Sequence, residues 1–135
     1  MKSKLHSYIN NLTVWGRMMA KSFGIHKLEL LEGVTPEEFE SFANTIYNPA
    51  ATDKNVPSRV QIRVVKGDKG ERNEQYNLII EFPAVEIRNA ITGTPPSESG
   101  PDTKENKEFF EYMKDLQDNF SKYAKGVGYT DYFEL

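Results

Sequence analysis

The stretch "VVKGDKGERNEQYNLIIEF", residues 64–82, decides the reading of this chain. Two runs rich in β-branched and aromatic residues flank a charged tract that contains Gly67 and Gly70. Upstream, Val60, Ile62 and Val64 alternate with Gln61 and Arg63; downstream, Tyr76, Leu78, Ile80 and Phe82 alternate with Asn77, Ile79 and Glu81. Period-two alternation on both sides of a polar, glycine-bearing tract predicts two strands joined by a long hairpin tip. A phosphate-gripping loop would need a helix directly after the glycines and a Lys-Ser/Thr pair, and neither follows Gly70. Lys66, Lys69 and Arg72 could meet a phosphate, but Asp68, Glu71 and Glu74 cancel them.

Working outward, "IHKLELLE" (25–32) reads as a half-buried strand, with His26, Leu28 and Leu30 on one side and Lys27 and Glu29 on the other. Thr35, Pro36 and Glu38 form a helix start of the capping-box type. Phe39, Phe42, Ala43 and Ile46 then follow at helical spacing, and Asn48-Pro49 is expected to end the helix. Residues 83–91 suit a short helix. Residues 92–106, "TGTPPSESGPDTKEN", read as the most mobile loop, either a lid or a tolerated insertion. Phe109, Met113, Leu116, Phe120 and Tyr123 define an amphipathic helix over 105–125 that Gly126 and Gly128 should stop, before a last strand at 129–135. The order β-α-β-β-α-β is that of an α+β, ferredoxin-like sandwich, with four antiparallel strands and the main helices on one face.

Residues 1–23 form a separate extension. Leu5, Ile9, Leu12, Trp15 and Met19 make one stripe of an amphipathic helix whose other positions are basic. Docking of that stripe on the domain or on a partner subunit is the expectation, ahead of a membrane surface. Met18 and Met19 leave room for a later translation start. The domain proper is residues 24–135.

Composition narrows the function classes. The 135 residues carry a net charge of −3, and residues 1–24 hold four basic groups and no acid, leaving 13 basic against 20 acidic residues in the body. An acidic body is a poor partner for a phosphate backbone, so no nucleic acid is expected. No apolar run approaches the ~20 residues of a membrane span. The absence of cysteine excludes disulfides, thiolate metal sites and thiol nucleophiles. A cytoplasmic location is the default expectation.

If Leu28, Leu30, Val60, Ile62, Val64, Tyr76, Leu78, Ile80 and Phe82 face the helices, alternation assigns Lys27, Glu29, Leu31, Gln61, Arg63, Val65, Asn77, Ile79 and Glu81 to the opposite face. The last strand adds Tyr132 and Glu134, or else Tyr129, Asp131 and Phe133. That face mixes aliphatics with charges, which suits a surface half-covered by a second copy of the chain. Lys27/Glu29 and Arg63/Glu81 are opposite-sign candidates for pairing.

The "VTPEEFESF" helix, the 60–82 hairpin, "EFFEYMKDL" and the terminal "YTDYFEL" together resemble small bacterial proteins of the dimeric α/β-barrel superfamily. KGDKGER-x3-Y and YTDY are the most specific parts, and the likeness covers about residues 24–135. It extends toward NIPSNAP-like, stress-responsive barrel and EthD-type proteins. The resemblance implies a homodimer in which two sheets pair face to face around a chamber. It also implies two possible roles, a small-molecule-binding or accessory protein and a cofactor-independent monooxygenase- or isomerase-like enzyme. Haem-binding relatives carry a ligand histidine on a domain helix, and residues 105–125 contain none, so no cofactor is expected.

The candidate chamber lining is Glu29, Arg63, Asn77, Glu81 and Tyr132. Arg63 could fix an anionic or enolate oxygen, Tyr132 could donate a hydrogen bond, and Glu81 could act as a base if burial raised its pKa. The competing reading, that Arg63 and Glu81 simply neutralise each other, is preferred. His26 reads first as a hydrogen-bonded core or edge histidine, and His6 as solvated. No carboxylate or histidine spacing points to a metal.

Overall fold

The computed structural model describes residues 16–94 and 100–135. Its elements are β1 (Ser22–Leu30), α1 (Pro36–Phe42), α2 (Asn48–Ala51), β2 (Gln61–Lys66), β3 (Tyr76–Phe82), α3 (Val85–Thr92), α4 (Lys104–Phe120) and β4 (Ala124–Phe133). The strands form one sheet in the order β2-β3-β1-β4, and every neighbouring pair is antiparallel. The chain is therefore an α+β protein with the ferredoxin-like arrangement. Its core lies on one face of the sheet, where Leu28, Ile62, Tyr76, Leu78 and Phe82 meet Phe39, Phe42, Ile91, Phe109, Met113 and Phe120.

Local chemistry accounts for most boundaries. The Thr35 hydroxyl accepts from the Glu38 amide at 3.2 Å, with Pro36 in the first turn. Thr103 caps α4 in the same way, accepting from the Asn106 amide at 3.0 Å. At the hairpin tip Gly70 takes a positive φ of 100°, whereas Gly67 is needed for space. A Cβ on Gly67 would lie 1.8 Å from the Arg72 carbonyl oxygen.

Four boundaries differ from expectation. The first strand runs over Ser22–Leu30 rather than 25–32. Asn48-Pro49 does not end the first helix: a π-helical turn, Ala43–Tyr47, carries the chain on into α2, where Pro49 sits in a first turn that needs no donor from it. The wider turn adds a residue to the repeat. Tyr47, 0% exposed, therefore takes the core position assigned to Ile46, which is 51% exposed. At the other end α4 stops at Phe120, and Gly126 and Gly128 belong to β4. There the register slips between Lys27 and Leu28, leaving Val127 as the extra residue of a bulge flanked by the two glycines.

Gly16–Met19 are helical. The apolar stripe at Leu5, Ile9, Leu12 and Trp15, and the centre of the 92–106 loop, lie outside the described residues.

Candidate functional site

Each face of the sheet carries a concavity. On the face away from the helices, Ile25, Lys27, Asn77, Gly128, Thr130 and Tyr132 line a space of about 410 Å³. Glu71, Arg72 and Gln75 from the hairpin tip complete its wall, so the tip also shapes this face. Strand register puts the whole sequence-derived set here. Lys27 pairs with Asn77, Phe23 with Glu81 and Tyr132, Glu29 with Lys125, and Arg63 with Ile79.

The five candidates are not gathered in one cluster. Asn77 and Tyr132 line the groove; Glu29, Arg63 and Glu81 do not. Arg63 Nη1 lies 3.9 Å from Glu81 Oε2, and Lys21 Nζ lies 3.2 Å from Glu81 Oε1. Glu81 thus has two cations beside it, an arrangement that neutralises the strands without leaving a free base.

The second concavity lies beneath the helices and encloses about 270 Å³. Its floor is β1, where Gly24 and His26 follow one another on the helix-facing side at a two-residue step of about 6.7 Å, with the buried Ser22 one step further along the strand. Ile80 and Phe82 of β3 form one wall, Tyr129 and Asp131 of β4 the other, and Arg88, Ile91 and Phe110 the roof. Gly24 makes the space: a methyl there would sit 3.0 Å from Asp131 Oδ1 and 3.5 Å from His26 Nε2. Those two polar atoms therefore converge over the residue that has no side chain. A smaller apolar space of about 120 Å³ between α4 and the sheet shares Ile80, Phe82, Thr92 and Phe110 with it.

The roof is pinned to itself. Asn106 Nδ2 donates to the Ile91 carbonyl at 2.6 Å, and the Thr103 hydroxyl donates to the Ala90 carbonyl, joining the end of α3 to the start of α4. Arg88 Nη1 donates to Ser22 Oγ at 3.3 Å, while Nε and Nη2 donate to Asn89 Oδ1 at 3.3 and 3.1 Å. All three bonds go to neutral acceptors.

His26 stacks on Tyr129, with ring centroids 5.1 Å apart and planes inclined by 14°. Burial lowers its pKa from the ordinary 6.5, against the opposing pull of the Asp131 carboxylate. The imidazole is thus mostly neutral at pH 7, with a carboxylate close enough to stabilise it if it takes up a proton. Sequence reasoning placed His26 on the correct side of β1 but gave it a structural role. It did not single out Arg88, and it left open which face of the sheet Asp131 takes: α3 places the one and the β4 register the other.

Among the described residues no cluster of histidines and carboxylates could hold a metal ion, and no helix is long and apolar enough to cross a membrane.

No protein-family model matches the chain, and no curated protein is similar to it in sequence. Among solved structures the fold is similar to that of HapK from Hahella chejuensis, at 15% identity over 84% of this chain and 92% of that one, with a TM-score of 0.49. It is also similar to a dimeric protein of unknown function and ferredoxin-like fold from Bacteroides fragilis, at 14% identity over 84% and 96%, with a TM-score of 0.45. The ferredoxin-like assignment itself follows from the strand order and the placement of the helices in this chain.

Proposed function

We propose that this protein binds a small, largely apolar molecule in the space beneath its helices, and that the opposite sheet face serves as the contact between two copies. One observation carries the first part. Gly24 opens an apolar cleft over which His26 Nε2 and Asp131 Oδ1 converge, with Arg88 among its lining, and convergence of a few polar groups on an apolar cleft is the usual build of a ligand site. The second part rests on the mixed far face and on the resemblance of the KGDKGER-x3-Y and YTDY segments to dimeric α/β-barrel proteins, NIPSNAP-like and EthD-type proteins among them. In that arrangement the polar groove with Asn77 and Tyr132 becomes a chamber between two sheets.

Native mass spectrometry of the purified protein, followed by a thermal-shift screen of small aromatic and alicyclic compounds, tests the binding reading. Gly24→Val fills the floor and should abolish every shift while leaving the far-ultraviolet circular dichroism unchanged. Ligands that bind this variant as well as the parent would place the site elsewhere.

A second reading, an isomerase-like enzyme without a cofactor, is supported by the neutral His26 beside Asp131. The imidazole would take a proton from the bound molecule and return it at another atom, with Asp131 offsetting the imidazolium charge. Solvent deuterium entering a bound ligand, and ceasing to enter with His26→Gln although binding persists, is the expected sign. Retention with no exchange in the parent protein would leave a binding protein.

A further inference from the structure

We infer that the molecule taken by the space beneath the helices is a small apolar acid, its carboxylate held by Arg88 and a hydroxyl at its far end held by His26 and Asp131. This inference rests on the binding reading above and narrows it to a chemical class.

The argument starts from unmet hydrogen-bonding capacity. A guanidinium has five N–H donors. Three are engaged by Ser22 and Asn89, which leaves one on each terminal nitrogen, the number that a carboxylate accepts in a two-pronged pair. Arg88 has no carboxylate within 4.0 Å among the described residues, although it forms part of an apolar wall. A cation beside an apolar cleft favours a counter-ion there. The nearest acid lining the space, Asp131, lies instead across Gly24 from His26 and makes no hydrogen bond among the described residues.

The opposite end has the complementary character. Asp131 is an acceptor, and a neutral His26 offers one acceptor nitrogen and one N–H. A ligand hydroxyl can donate to the carboxylate while accepting from the imidazole, or donate to the imidazole directly. A second carboxylate at that end would meet Asp131 at close range, so the acid must point toward Arg88. Between the two ends the lining is Ile80, Phe82, Ile91 and Phe110, which suits a ring or a branched hydrocarbon body.

Four small aromatic probes separate the parts of this claim: 4-hydroxybenzoate, 4-hydroxybenzamide, benzoate and the neutral apolar indole. Isothermal titration should show 4-hydroxybenzoate binding at least about tenfold tighter than its amide, the gain of a charge-assisted pair over a neutral one. Benzoate should fall between them. Arg88→Gln, which removes the charge and keeps a polar amide, should remove the preference for acid over amide without removing indole binding. Chemical-shift changes of the 4-hydroxybenzoate complex should centre on Ser22, Gly24 and His26.

Equal binding of acid and amide by the parent protein overturns the inference, and this comparison needs no variant to fold. Shifts centred on Lys27 and Arg72, or an acid preference that survives Arg88→Gln, overturn it as well. Binding of indole alone rejects the acid while keeping the cavity as a site. Failure of all four probes rejects the acid, and failure of indole counts separately against the site itself.

Discussion

His26 is where the chemistry of a single residue bears most on this protein. Leaving water lowers its pKa, and the Asp131 carboxylate only partly restores it. The folded state therefore binds this proton less readily than the unfolded chain, whose value is near 6.5. Between the folded value and 6.5 the unfolded chain carries more protons, so stability rises with pH through that window. The contribution is fully present above about pH 6.5 and fades as the solution is acidified. An NMR titration should place the His26 imidazole below 6.5. The urea midpoint should fall between pH 7 and pH 5 by more in the parent protein than in His26→Gln. A His26 that titrates above 6.5 would mean that Asp131, not burial, governs it.

At the scale of elements, the π-helical turn after α1 and the side chain that follows it do the most. The turn rotates Tyr47 inward, where its hydroxyl donates to Gln117 Oε1 at 2.9 Å and its ring packs 5.0 Å from Phe120. Burial raises the Tyr47 pKa well above the ordinary phenol range, so it stays a donor at any ordinary pH. Denaturant unfolding should show Tyr47→Ala costing about 3–5 kcal/mol, as for other buried aromatics. Ile46→Glu should stay within about 0.5 kcal/mol of the parent, as exposed positions do. The reverse order would mean that a regular α-helical repeat runs through this segment.

Asn48 serves the neighbouring edge. Its Oδ1 accepts from the Val64 amide at 2.8 Å and its Nδ2 donates to the Val64 carbonyl at 3.1 Å, so one side chain stands in for a missing strand beside β2. Asn48→Ala should lower stability by about 1–3 kcal/mol, the cost of leaving such backbone groups unmet, and should raise aggregation on heating. Asn48→Asp should recover only part of the loss, because it keeps the acceptor and repels the Val64 carbonyl. The base of the hairpin is tied by charge: Lys66 meets Glu40 at 3.0 Å and Glu74 at 3.1 Å, and the Tyr76 hydroxyl donates to Glu40. Burial, and after it that bond, push the Tyr76 pKa up to about 12.

For the whole molecule the question is what covers the far face of the sheet. Ile25 and Ile79 are cross-strand partners there, and Arg63 stands opposite Ile79, so apolar and charged groups share one surface. With a second copy on that face, analytical ultracentrifugation should give a dimer, and Ile79→Asp should shift it to monomer while ligand binding beneath the helices persists. A parent chain that sediments as a monomer at tens of micromolar would remove the dimer proposal and leave the cavity untouched.

The alternation across residues 60–82 and the capping signal at Thr35 make the strands and the start of α1 legible in the sequence, because period-two burial and unmet helix-end amides are local demands; the Thr103 cap of α4 sits in a stretch that reads only as loop. Alternation places Glu29, Arg63, Asn77 and Glu81 on one face of their strands, but the side taken by Tyr132 stayed open until the β1–β4 register paired it with Phe23. What lay beyond reach was set by packing. The π-helical turn, the continuation past Pro49 and the early end of α4 depend on how Tyr47 and Phe120 fit a shared core. The meeting of His26, Arg88 and Asp131 around Gly24 depends on strand register and helix placement over separations of more than 40 residues. A sequence states which side of its own element a residue occupies; only the folded chain decides what stands opposite, since that neighbour is chosen by the packing of the whole.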